Sequence, residues 1–213
     1  MALSFLASKP ALSRPNTTED GGRAYFGGAM VLWSEETPEG RFVSRHLFKG
    51  DSPHTNKGKE SIATPPLHYH IYQTETLEVL SGKMCYILSG KEDVAKKGDK
   101  IVLPPGPENA HTFWRSTEDD EDLMMAATVS GGPNEGFCDE FISNFYGYLS
   151  SVTMAGQSPS LFQMLHFLDD ADVVLADPPF GLGRVLNVVL GRWLGSLLGY
   201  KTRYAEFDQK KST

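Results

Sequence analysis

The stretch Pro65–Gly82 reads PPLHYHIYQTETLEVLSG, and the rest of the chain is read outward from it. His68 and His70 stand one residue apart, and Glu75 follows five positions later. Side chains two apart on a strand share a face, so both imidazoles point to the same side of a sheet. Two imidazoles and a carboxylate converging on one face form a mixed nitrogen and oxygen donor set that suits a divalent transition metal. The tail TLEVLSG alternates and ends on a turn glycine, as a strand leaving such a site would. Buried without a metal, these groups would be unpaired polar atoms, which argues against plain core histidines.

At 213 residues the chain suits one domain, or one domain with a sizeable extension. Its 27 acidic and 20 basic residues give a net charge of −7, which argues against a nucleic-acid role. Cys85 and Cys138, far apart in sequence, form neither a disulfide framework nor a zinc knuckle; two reduced thiols in a cytoplasmic protein are expected. The start, MALSFLASKPALSRP, is too short and broken in its apolar run for a secretory signal. It carries Lys9 and Arg14 and no acid before Glu19, so a presequence reading stays open beside the cytoplasmic one.

Residues 1–22 read as an arm. From Ala24 to Ser130 about eight short strands alternate with Gly/Pro turns, among them AYFGGAMVLW, RFVSRHLF, KMCYIL, IVLPPG, HTFWRS and DLMMAATVS. That density predicts an antiparallel sandwich or barrel over 23–131. From Phe137 the spacing turns helical, with Phe141, Ile142, Phe145, Tyr148, Leu149 and Val152 on one face, and a helical extension is expected over 132–213. A second helix opens at Pro159-Ser160. A third places Leu182, Val185, Leu186, Val189, Leu190, Trp193, Leu194 and Leu197 on one stripe. Arg184 and Arg192 break that run, so it does not span a membrane. Packing on the barrel or on a subunit partner is expected of it, with a membrane surface as the alternative.

The opening stretch and a later PPG…H segment together resemble the cupin superfamily. His68, His70, Glu75 and Gly82 match its first motif in every spacing from the first histidine onward. Gly98, Pro104 and Gly106 match the second, with His111 as its histidine. The resemblance implies a jelly-roll β-barrel, mainly antiparallel, and one divalent metal held by His68, His70, Glu75 and His111. The ending LLGYKTRY also looks like that of small single-barrel cupins with a helical C-terminal extension.

The sequence departs from the pattern in three places. Ile62 stands where the first motif has glycine. Pro107-Glu108-Asn109-Ala110 puts four residues between Gly106 and His111 where the family has two, which leaves the role of His111 open. Arg115 replaces the family's asparagine. His111, Phe113 and Arg115 alternate, so a barrel-facing His111 brings Arg115 inside with it. A buried guanidinium stays charged and needs a partner. Either a protein carboxylate from 118–122 or an anionic substrate group supplies one.

Phe113 and Tyr72 are expected to contact substrate, Arg115 to anchor it, and Glu75 to serve catalysis as well as the metal. Tyr69, Tyr86 and Trp114 cluster near the motifs as wall or core. His46, alternating with Ser44 and Phe48, lines the cavity or faces outward. His54 reads as a solvated loop residue and His166 as helix packing. Cupins of this ligand set leave coordination positions open, and dioxygenases, decarboxylases, isomerases and cyclases all occur among them. An oxygenase acting on a small apolar, anionic or enolisable molecule is expected, with iron ahead of manganese, nickel or zinc. Non-redox chemistry and a non-catalytic binder remain open. The expected assembly is a homodimer.

Overall fold

Strands with alternate apolar residues bury one face each, and here they do so in two antiparallel sheets. The computed structural model describes residues 10–38, 41–131, 138–177 and 181–208. The residues weighed as a presequence up to Lys9, the turn at 37–40 and the loop at 131–136 lie wholly or partly outside them.

The strands are β1 (Asn16–Thr17), β2 (Arg23–Tyr25), β3 (Met30–Glu36), β4 (Phe42–Phe48), β5 (His68–His70) and β6 (Thr74–Ser81). They continue as β7 (Lys83–Leu88), β8 (Lys91–Lys96), β9 (Lys100–Leu103), β10 (His111–Arg115) and β11 (Leu123–Ser130). One sheet runs β1-β2-β3-β4-β11-β6-β9, and the other contains β5-β10-β7-β8. Their inner faces meet over a core that includes Met30, Leu32, Leu77, Val79, Met84, Leu103, Leu123 and Met125. Phe48 of the first sheet meets Phe113 of the second edge-on, with ring centroids 6.4 Å apart. The architecture is a jelly-roll β-sandwich.

The sequence reading missed strands where its signals were weak. AYFGGAMVLW, expected as one strand, is two, because Gly27 and Gly28 take positive φ (68° and 96°) and turn β2 back on β3. KEDVAK escaped notice altogether. It forms the edge strand β8, on which only Ala95 is buried, and charged residues are how exposed sheet edges are kept from pairing further.

The backbone divides into two compact units. Described residues 16–131 and 175–177 form the barrel unit; 10–15, 138–174 and 181–208 form the helical unit. The residues read as an arm are thus shared out. Asn16 and Thr17 pair with β2, while the Ser13 amide donates to Ser151 Oγ at 3.1 Å.

In the helical unit, α1 (Asp139–Met154) buries Phe141, Ile142, Phe145, Tyr148, Leu149 and Val152, the stripe its periodicity predicts. A second helix, α2 (Leu161–Asp170), follows it. The third begins as α3 (Leu182–Leu186), widens to a π-helix over Asn187–Gly195 and ends as α4 (Ser196–Leu198). Its apolar stripe is exposed in the single chain.

Candidate metal centre

The ligand stretch is not one strand. Glu75 lies five positions after His70, an odd offset, so on an uninterrupted strand the two would face opposite sides. The chain instead leaves one sheet after His70, crosses at 71–73, and enters the other as β6. His68 and His70 therefore face inward from one sheet and Glu75 from the other. This corrects the single-face reading, and the convergence on one point survives it.

His111 joins them through register. It lies directly opposite His68 across the β5–β10 pair, with ring centroids 4.4 Å apart, and its ring is nearly parallel to that of His70. The extra residues before it wind into a single 3-10 turn over Pro107–Asn109. That turn starts from Gly106, whose φ of 110° favours glycine and where a Cβ would lie 2.7 Å from the Glu108 carboxylate. Expansion of the loop has therefore left His111 at the site. Ile62, the residue in the glycine position of the first motif, has no positive φ, so glycine is not required there.

All four groups are buried, and one donor atom from each lies within 4.8 Å of the others. His111 Nε2 is 3.1 Å and His70 Nε2 is 3.4 Å from Glu75 Oε2. Neighbouring ligands on a metal with bonds of roughly 2.1 Å sit about 3 Å apart, so the spacing fits one ion. The tautomers fit as well. His68 Nδ1 lies 2.7 Å from the Pro66 carbonyl oxygen and His111 Nδ1 lies 2.9 Å from that of Asn109. A carbonyl only accepts, so each Nδ1 carries the proton and each neutral ring turns an Nε2 lone pair toward the cluster. The expanded loop itself provides the Asn109 carbonyl.

With the proton on Nδ1, the His111 Nε2 lone pair faces the Glu75 carboxylate, acceptor against acceptor. Only a cation or an extra proton between them makes that contact favourable. Electrostatics add to this. Burial lowers the pKa of His68 to about 3, helped by His111 and His70, which leaves it neutral and able to donate a lone pair. Burial pushes Glu75 upward, but where the gap is filled by an extra proton, hydrogen bonds and charge from the His111 and His70 imidazoles outweigh it and hold the carboxyl well below its usual range.

The other predicted residues are placed as follows. Phe113 is buried on the inner face of β10, two residues from His111. Tyr72 is 48% exposed in the crossing between β5 and β6, which puts it at the rim rather than in the interior. Arg115 is buried four residues beyond His111, about 13 Å along the strand. Its Nη1 donates to the carbonyls of Asp119 at 2.7 Å and Glu121 at 3.1 Å. Its hydrogen-bond partners are thus backbone carbonyls of the 116–122 loop, and the carboxylates of Asp119 and Asp122, within the segment expected to neutralise it, also feel its charge. Neither paired carbonyl belongs to the metal end of the barrel.

One further polar group faces inward. His46 is 3% exposed and stacks on Phe48, and burial lowers its pKa to about 4 against a smaller opposing pull from Glu75. It is therefore a neutral interior imidazole, which settles the cavity-or-surface alternative. Register aligns Ser44 with Ser34 on the same face, and buried Arg23 donates from Nη2 to Ser34 Oγ at 2.6 Å. Composition offered no sign of this polar file. Strand parity carried through Phe42, Ser44, His46 and Phe48 would have found its Ser44–His46 part.

No family model matches the chain. Among curated proteins, the probable oxidoreductase virH of Hypocrea virens is 33% identical over 175 residues, covering 79% of this chain and 78% of that protein. The chain belongs to the family of that oxidoreductase. Another relative, the epoxidase atD of Aspergillus terreus, is 27% identical over 85% of this chain and 61% of its own length. Among solved structures, a cupin-like protein of Thermotoga maritima aligns with a TM-score of 0.37 and 20% identity over 57% of this chain and 80% of that one. The cupin character of this family member rests on its own motif spacing and on the two-sheet topology that gathers the motif residues.

Proposed function

We propose that this protein is a metal-dependent cupin dioxygenase acting on a small organic molecule with an apolar body and an electron-rich, enolisable or anionic group. The observation that carries the reading is the buried convergence of three imidazoles and one carboxylate with their donor atoms within 4.8 Å. The ligands would be His68, His70, Glu75 and His111, with iron the favoured metal. A divalent ion held there supplies open coordination positions and, as iron, one-electron redox capacity.

The chain's own residues do the rest. The Pro66 and Asn109 carbonyls hold His68 and His111 in the donating tautomer. Glu75, kept ionised, brings the negative charge that a divalent cation needs in a dry site. Phe113 offers an apolar wall beside His111, and His46 and Ser44 offer hydrogen-bonding groups on the facing sheet. Tyr72 stands at the rim, where it can meet an entering substrate. Both oxygen atoms of O2 enter the substrate, which provides the electrons, so no external reductant is consumed. The oxidoreductase name of the Hypocrea relative and the epoxidase name of the Aspergillus relative support redox chemistry over a non-redox use of the site, without bearing on whether one or both oxygen atoms are transferred.

Elemental analysis of the purified protein, with substrate turnover compared in air and under anaerobic conditions, tests this. Bound iron with turnover that stops without O2 is expected. Zinc with O2-independent turnover would move the assignment to isomerase, decarboxylase or cyclase chemistry. A metal-free protein unaffected by His68→Ala and His70→Ala would overturn the site itself.

A further inference from the structure

His68 and His111 are oriented by one device. In each, the ring Nδ1 meets the backbone carbonyl two residues upstream, that of Pro66 for His68 and that of Asn109 for His111. Such a carbonyl fixes the tautomer and the ring plane only if it is itself held still. The two are held by different means.

For His68 the restraint is covalent. Pro66 follows Pro65, so the pyrrolidine rings fix φ at both residues. Thr112 Oγ1 then ties the pair to β10 by donating to the Pro65 carbonyl at 2.7 Å. Asn109 has no such restraint, and it lies in the loop that is two residues longer than the cupin pattern. Its own side chain takes over. Nδ2 donates to the Pro105 carbonyl at 3.1 Å, back across the start of the turn, while the Asn109 amide donates to the Gly106 carbonyl at 3.1 Å. The turn is thus closed twice at one residue, the residue whose carbonyl faces His111.

The same loop reaches a second ligand. The Gly106 amide donates to the His70 carbonyl at 2.9 Å, and the rings of His70 and His111 lie nearly parallel, 9° apart in plane with centroids 5.5 Å apart. Both histidines therefore hang from one bracket, and the Asn109 side chain closes it. Asparagine suits the position because its amide group donates to Pro105 while its backbone oxygen accepts from His111. A brace that served the loop alone would matter to folding stability and leave metal retention untouched, which separates the two roles by experiment.

We infer that the Asn109 side chain is a positioning residue that sets how long the centre retains its metal, acting through the orientation of His111; the assignment rests on the four-ligand centre holding a metal ion. The test loads the full chain with cobalt(II) and follows its release into excess EDTA by the loss of the cobalt absorption bands. Asn109→Ala removes the brace and keeps the backbone carbonyl. It should release cobalt(II) about tenfold faster than the wild type, the lower end of what loss of an outer hydrogen-bond partner costs a metal ligand. Its bound cobalt should also absorb at shifted wavelengths, since the His111 ring is no longer held in one plane. Glu108→Ala alters an exposed residue of the same turn and should match the wild type in both measurements. Circular dichroism of the metal-free proteins should be the same for all three. Release from Asn109→Ala within about threefold of the wild type would overturn the role of Asn109 and leave the centre standing, as would equal acceleration in Glu108→Ala. A wild-type chain that takes up no cobalt(II) would overturn the centre itself and the role of Asn109 with it.

Discussion

Acidifying the metal-free protein from pH 7 to pH 5 should remove about 4 kcal/mol of its stability, half of it through His46. The perturbation acts on two imidazoles buried as neutral groups, His68 with a pKa of about 3 and His46 with one of about 4. In the unfolded chain both return to about 6.5. Between pH 6.5 and 4 the unfolded state therefore binds two protons that the folded state refuses. Stability then falls as pH falls, by about 1.4 kcal/mol per pH unit for each histidine. At pH 7 most of the unfolded imidazole is already neutral, so nearly all the loss comes between pH 6.5 and 5, about 2 kcal/mol per residue. Urea unfolding of chelator-treated protein at pH 7, 6 and 5, followed by tryptophan fluorescence, measures it. His46→Leu removes one titrating group without touching a metal ligand and should cut the loss between pH 7 and 5 by about 2 kcal/mol. An unchanged loss in that variant would refute the interior, neutral placement of His46.

The remaining predictions concern the ligands, the barrel end and the helix pair. Glu75→Gln keeps shape but removes the negative charge among three histidines, so metal content measured by elemental analysis should fall at least about tenfold while the fold persists. Arg115→Leu leaves the Asp119 and Glu121 carbonyls without their donor and should cost about 2–4 kcal/mol in urea unfolding, with metal content unchanged. Loss of substrate affinity at unchanged stability would instead restore Arg115 as a substrate anchor. Gly191→Ala pushes a methyl into the Leu165 backbone and should destabilise the helix pair by about 1–3 kcal/mol in thermal unfolding, whereas an alanine at exposed Ser196 should have little effect.

What the sequence determined by itself was the chemistry of the centre. The spacing of His68, His70, Glu75 and Gly82, and of Gly98, Pro104, Gly106 and His111, matches the two cupin motifs, and that resemblance implied the four donors and the barrel, while the period of two by itself placed only His68 and His70 on a common face. The helical period of α1 was legible because periodicity is a local property of a chain. Tertiary structure decided everything that depends on which strand lies beside which. It put Glu75 on the opposite sheet from the histidines, since the crossing at 71–73 reverses the parity that local alternation assumes. It kept His111 in place by coiling the expanded loop into one turn, and it added two backbone carbonyls to the 118–122 carboxylates that the sequence had offered Arg115. It also inverted the third helix, which buries Gly183, Asn187, Gly191 and Gly195. Hydrophobic periodicity identifies an apolar stripe, but a glycine face that lets two backbones approach closely can outcompete that stripe for the interior, and only the packed pair reveals which side won.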